Sequence, residues 1–211
     1  MGRTGNANSM TLTEERPATA SSEAARRAMI DSQLRTSGVN EPLVLAAMMR
    51  VRREDYVPAS LKDAAYIDRA IALGDGRYLA APLVHARMLA EADPKATDKA
   101  LLVGDGNGYL AELLRPLVGS LDAVIPGDAG AKKRGKGGYS LIVVDGAAEQ
   151  LPDALIASLA DDGRLVTGQV ERGVTRLATG RKVAGTLSLL PLAEIGIPVV
   201  PELAAPKRWS F

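Results

Sequence analysis

Three glycines at alternate positions, Gly104, Gly106 and Gly108, stand between an apolar run, Ala100 to Val103, and the helix-forming stretch Leu110-Ala111-Glu112-Leu113-Leu114. Glycine lets the chain turn sharply and lets a ligand approach the backbone. At the carboxyl end of a buried strand in an open α/β sheet, such a turn borders the ligand crevice. The spacing narrows the choice of ligand. A dinucleotide turn needs glycine at its first, third and sixth positions. Here the sixth is Tyr109, and Asp105 would set a carboxylate against a pyrophosphate. A phosphate loop needs Gly-Lys-Ser/Thr, which does not follow. G-x-G-x-G remains, with Asp105 and Asn107 as its polar members. The alternative is a tight strand–helix turn that binds nothing. Asp145 ends a second apolar run, Leu141 to Val144, beside the same crevice. Its carboxylate either lines the crevice or caps the helix that follows. His85, the sole histidine, is expected at the surface or an edge rather than as a catalytic base. With no cysteine and one histidine, disulfide frameworks, thiolate metal sites and histidine-rich metal sites are excluded, and no metal is expected. The basic cluster Lys132, Lys133, Arg134 and Lys136 reads as a solvated loop. No aromatic lies among these residues to stack a base, so nucleic-acid binding is not expected.

These groups need elements to position them. A length of 211 residues suits one domain plus a tail. Residues 1–21 are poor in apolar anchors and read as a flexible tail; residues 22–211 read as a single domain. Within it, residues 22–95 form an N-terminal helical region and residues 96–211 a sheet core. Ser22 is placed as N-cap of a helix from Glu23 to Thr36, with Met29, Ile30 and Leu34 as its apolar stripe and Gly38 as its stop. Asn40 caps a second helix, with Pro42 in its first turn and Leu43, Ala46, Ala47 and Met49 turned inward. A short helix through Leu61 to Tyr66 precedes a glycine-containing loop, Asp68 to Pro82. Pro82 opens a helix that runs to about Ala92, where Pro94 stops it. Leu121 to Ile125 reads as a strand. Val174 to Val183 and Thr186 to Leu192 read as an antiparallel pair linked near Ala184-Gly185. No run approaches the roughly 18 apolar residues of a membrane span, and no apolar signal core opens the chain. A cytoplasmic location is therefore expected. A net charge of +1 supplies no global field to recruit nucleic acid or membrane.

Several separate motifs carry a family resemblance. G-x-G-x-G is the form of the first motif of S-adenosylmethionine-dependent methyltransferases. Gln33-Leu34, Val51 through Pro58, Tyr66-x-Asp68, Gly74-x-Gly76 and Pro82 ahead of a helix resemble, in order and spacing, the protein-L-isoaspartate O-methyltransferases. Leu141 to Ala148 is similar to their fourth strand and following loop. Leu151 to Leu159 and Asp162 to Val166 are similar to the next helix and fifth strand, and Pro206 to Phe211 to the tail of bacterial members. The resemblance covers about Ala25 to Phe211. It implies an α/β, doubly wound, mostly parallel Rossmann-like sheet. It also implies methyl transfer from S-adenosylmethionine to isoaspartyl carboxylates in protein repair. By the same implication Gly104, Asp105, Gly106, Asn107, Gly108 and Asp145 bind the cofactor. Tyr66, Asp68, Gly74, Gly76 and Pro82 hold the isoaspartyl protein or peptide.

The departures are specific. The family places an acid two residues before the first glycine, where Leu102 stands, and another after the second strand, where Pro126 stands. The second acid takes the ribose hydroxyls; losing charged hydrogen bonds there costs on the order of 1.5–3 kcal/mol each. The family serine of the substrate loop is Ala80 here. Pro126 to Ser140 replaces a helix, the third strand and a further helix with a glycine-rich, basic loop. The crossing from the second strand to the fourth spans about 20 Å, and 15 extended residues reach about 50 Å. The chain can close without a third strand, leaving one sheet edge bare for a partner, a second copy or the N-terminal helix. Two functional readings follow. One is a working carboxyl methyltransferase. The other is a methyltransferase fold kept as a binding or assembly module after loss of cofactor binding.

Overall fold

The computed structural model describes residues 18–131 and 138–206. The first helix, α1 (Ala18–Met29), starts before the expected Ser22 cap and continues through a π-helical turn, Ile30–Leu34. Its stripe is as expected: Met29, Ile30 and Leu34 are buried. Gly38, at φ +87°, ends it. Helix α2 (Pro42–Arg50) buries Val44, Leu45, Ala47 and Met48, whereas Leu43 and Ala46 are exposed. The expected inward face was rotated by one residue. Every position from Leu43 to Met49 is apolar, so periodicity alone leaves the helix free to turn, and packing chooses the row.

Two 3-10 turns, Arg53–Tyr56 and Ala59–Ala64, lead to a hairpin where a loop was expected. Strands β1 (Ile71–Gly74) and β2 (Arg77–Leu79) pair antiparallel. Asp75 and Gly76, both at positive φ, form the two-residue turn. Aspartate–glycine suits such a turn, because its backbone twist matches that of the flanking strands. Helix α3 (Pro82–Ala92) has the expected bounds and ends at Asp93 in the left-handed conformation, just before Pro94.

The main sheet contains β3 (Lys99–Val103), β4 (Ser120–Val124), β5 (Tyr139–Ala148), β6 (Leu159–Glu171), β7 (Val174–Val183) and β8 (Thr186–Glu194) in the order β4-β3-β5-β6-β7-β8. The first four of that order are parallel; β7 and β8 continue antiparallel, as the alternating residues predict. Helices α4 (Tyr109–Leu114) and α5 (Asp153–Ser158) follow β3 and β5. Among the described residues no strand lies between β4 and β5, so β4 is the edge. The basic residues Lys132 to Lys136 lie outside the described residues, as do most of the N-terminal tail and Lys207 to Phe211.

The sheet separates two cores. Ala100, Leu102, Leu141 and Val143 face the helical layer of α1 to α4, packing with Met48, Val84, Met88, Leu89, Leu110 and Leu113. Leu101, Val103, Ile142 and Val144 face the other way, under α5 and the turn Pro201–Leu203. At the foot of the sheet, buried Asp98 accepts from Ser140 Oγ (2.7 Å), Arg164 Nη2 (2.6 Å) and the Lys95 backbone N–H (2.8 Å). Burial pushes its carboxyl up, but these hydrogen bonds outweigh that and hold it below the usual carboxylate range.

Candidate functional site

The carboxyl ends of β3 and β5 meet at the glycine turn. The register pairs Val103 with Val144, which brings Gly104 beside Asp145. A Cβ at Gly104 would lie 3.0 Å from the Asp145 Cβ, and one at Gly106 would lie 2.9 Å from the Ala123 Cβ. The neighbouring strands therefore need the backbone bare at both positions. Asp105 Oδ1 accepts the Asn107 N–H at 2.9 Å, and Arg115 Nη2 donates to the Gly106 carbonyl at 2.8 Å. These bonds hold the turn in one shape, with Asp105 and Asn107 exposed.

A bulge in β5 aims Asp145. Val143 pairs with Val166 and Ala147 with Gly168, so four steps along β5 oppose two along β6. Bulges of this kind redirect side chains near functional sites. The C-terminal segment locks it in place: Ala147 N–H donates to Pro198 O (2.8 Å), and Val200 N–H donates to Ala147 O (2.9 Å). Asp145 does not cap the next helix. The strand runs on to Ala148, and Pro152 occupies the N-cap of α5.

His85 is the largest correction to the sequence reading, because it is fully buried. Its Nε2 lies 3.0 Å from Asp145 Oδ1, and its Nδ1 lies 3.4 Å from Arg53 Nη1. Arg53 carries only donors, so Nδ1 accepts and the ring hydrogen sits on Nε2, pointing at Asp145. Helical spacing places His85, Met88, Leu89 and Ala92 on one row of α3, and all four are buried. That row was readable as an inward stripe.

Arg53 was not singled out from the sequence, yet it joins the parts. It is fully buried and donates through Nε to Ala65 O (2.7 Å) and through Nη2 to Ala80 O, while its guanidinium carbon stands 5.0 Å from the Tyr109 ring centroid. Burial lowers its pKa; the nearby Tyr109, Asp145 and Tyr66 work against that. Burial likewise pushes the Tyr109 hydroxyl up to about 12. Beside Arg53, Glu54 accepts the Tyr66 hydroxyl. Burial raises the Glu54 carboxyl, but the hydrogen bonds from Tyr66, its own backbone and Arg52 bring it below the ordinary value. Burial and the bond to Glu54 raise Tyr66.

The expected substrate-holding residues fall into two groups. Tyr66 is buried, with its ring in the core and its carbonyl taken by Gln33 Nε2 at 2.9 Å. Asp68 is exposed and accepts the Leu83 N–H (3.3 Å) in the first turn of α3, which Pro82 opens. Gly74 precedes the hairpin turn and Gly76 lies in it. The segment from Tyr66 to Pro82 is thus tied to the glycine turn by one buried path: Ala80 carbonyl, Arg53, His85, Asp145. An open groove of about 610 Å³, lined among others by Arg50, Arg52, Tyr56, Glu112 and Arg115, adjoins the turn through Arg115. Among the described residues there is no cluster of metal-ligating side chains and no helix long and apolar enough to cross a membrane.

A mostly parallel sheet with a glycine turn at its first strand, extended by an antiparallel pair, defines a Rossmann-like methyltransferase fold. The family model for protein-L-isoaspartate(D-aspartate) O-methyltransferase matches residues 24–128. The Koribacter versatilis protein-L-isoaspartate O-methyltransferase is 32% identical over 186 residues, spanning 77% of this chain and 84% of the relative. That of Methanoculleus marisnigri is 29% identical over 200 residues, spanning 83% and 90%. A Plasmodium falciparum protein assigned to this enzyme group, crystallised with S-adenosyl-L-homocysteine, superposes with a TM-score of 0.66 at 18% identity, covering 86% of this chain and 98% of its own. At that identity the superposition speaks for the fold. The chain belongs to the protein-L-isoaspartate O-methyltransferase family.

Proposed function

We propose that this protein transfers a methyl group from S-adenosylmethionine to the carboxylate of an isoaspartyl residue in a protein or peptide. The observation that carries this reading is the Gly104 turn set against Asp145 within a chain of this family. The residues fit the amino-acid half of the methyl donor. The turn's backbone is bare, and the carboxylates of Asp105 and Asp145 suit a ligand bearing an ammonium and a sulfonium. Bound S-adenosylmethionine supplies an already activated methyl group. A carboxylate acceptor is itself a nucleophile, so the chain's work is to align the two groups. Gly104, Asp105, Gly106, Asn107, Gly108 and Asp145 take the donor side. Asp68, Gly74, Gly76 and Pro82 take the peptide side, with Tyr66 bracing them from within.

A fold retained for binding alone is the other outcome that the assay tests. Pro126 follows β4 where a ribose acceptor would stand, and Ile125 beside it is 61% exposed. The edge strand β4 is then the natural place for a second copy or another protein, which sedimentation of the purified chain would reveal. Transfer of labelled methyl from S-adenosylmethionine to an isoaspartyl peptide, with the matching aspartyl peptide as control, separates the readings. Turnover confined to the isoaspartyl peptide supports the enzyme. No turnover, with no calorimetric binding at millimolar donor, refutes it.

A further inference from the structure

The carboxylate of Asp145 is built into the fold more thoroughly than a surface acid needs to be. Its Oδ1 receives Nε2–H from a histidine with no exposed surface, and that histidine is held by a fully buried arginine. Burying an imidazole and a guanidinium is costly unless each is hydrogen-bonded. The path Arg53–His85–Asp145 meets that requirement and fixes one orientation of the carboxylate. Its other oxygen, Oδ2, has no hydrogen bond among the described residues, and the side chain keeps 25% of its surface open. Oδ2 is also 3.7 Å from where a Gly104 Cβ would stand, so it flanks the bare backbone of the turn. Asp105, the other carboxylate here, closes the turn by accepting the Asn107 N–H.

Leu102 stands where the family resemblance places an acid, buried on the face shared with Leu141 and Val143. Asp145 meets His85 of α3, so it emerges on that same helical face, and the Val103–Val144 pairing sets it at the level of Gly104. We propose that the acid has moved one strand over: Asp145, oriented by His85 and Arg53, is the carboxylate that binds the ammonium of the methyl donor's amino-acid end. This rests on the methyltransferase reading above. His85 and Arg53 are positioning residues; neither touches the ligand.

The test is calorimetric binding of S-adenosylhomocysteine and of its deaminated analogue, which keeps the carboxylate and lacks the ammonium. The wild-type chain binds the analogue about 10- to 100-fold more weakly, the span of one charged hydrogen bond. Asp145→Asn loses a similar factor for S-adenosylhomocysteine and none for the analogue, so the two ligands become equal. His85→Phe, which keeps a ring but removes the donor, weakens S-adenosylhomocysteine several-fold and leaves the analogue unchanged. Thermal melting checks that each variant is folded; should His85→Phe not fold, Asp145→Asn decides alone. Unchanged S-adenosylhomocysteine affinity in Asp145→Asn, or equal losses for both ligands, overturns the proposal while leaving the methyltransferase reading intact. Failure of the wild-type chain to bind either ligand at millimolar concentration overturns both.

Discussion

Replacing Arg53 with methionine removes a fully buried guanidinium while keeping most of its volume. Three contacts go: Nε to Ala65 O, Nη2 to Ala80 O, and Nη1 to His85 Nδ1. The two carbonyls are left without these donors, at about 1–3 kcal/mol each for a buried unsatisfied group. Against this stands relief from holding a desolvated charge, the cause of the lowered Arg53 pKa. The net expectation is a loss of about 2–4 kcal/mol, which for a domain of this size lowers the melting temperature by about 4–16 °C. Urea unfolding followed by circular dichroism measures the free energy, and a thermal scan measures the shift. Arg53→Lys separates charge from geometry. An ammonium cannot reach both carbonyls and the imidazole at once, so this variant should fall between wild type and Arg53→Met. A methionine variant as stable as wild type would mean that burying the guanidinium costs as much as its hydrogen bonds return. That outcome refutes the view that Arg53 holds the Ala80 segment and His85 together.

Three further outcomes follow from the same geometry. The Glu54 and Asp98 carboxyls sit below their unfolded values, so their stabilisation is present above the unfolded pKa and is lost as pH falls through the folded one. Urea midpoints should therefore drop steadily below about pH 4.5, and Asp98→Asn should lower the plateau and flatten the slope. A slope unchanged by that substitution would contradict the assignment. Gly104→Ala puts a methyl group 3.0 Å from the Asp145 Cβ. It should displace Asp145 from His85 and weaken S-adenosylhomocysteine binding at least about tenfold; wild-type affinity would show that the strands yield freely. Gly76→Ala meets no atom within 4 Å but sits at φ +72°. It should cost about 1–2 kcal/mol in urea unfolding through backbone strain alone, and S-adenosylhomocysteine binding at the Gly104 turn should stay as in the wild type.

Local chemistry made much of this protein legible. Pro82 and Pro94 bracket α3 because proline suits the first turn of a helix and cannot continue one. The alternation from Val174 to Leu192 forms β7 and β8 because side chains on a strand point to opposite faces in turn. The glycines at 104, 106 and 108 between a buried run and a helix mark the turn that the sheet presents. The stretch after Ile125 is too rich in glycine and charge to read as a strand, and among the described residues β4 is the sheet's edge.

What tertiary structure decided is which groups meet. Arg53, His85 and Asp145 are 32 and 60 residues apart along the chain, and no local pattern joins a 3-10 turn, a helix and a strand end. His85 taken alone is a polar residue that belongs in water. It is buried because α3 lays it between an arginine and an aspartate that satisfy both ring nitrogens. Leu43 taken alone belongs in the core, yet it faces solvent because Val44 and Leu45 fill the space against the neighbouring helices. Propensity and spacing act over a few residues and so set the elements. Burial of a charged or polar side chain depends on the donors and acceptors that distant segments bring to it, and those exist only once the sheet and its helices have packed.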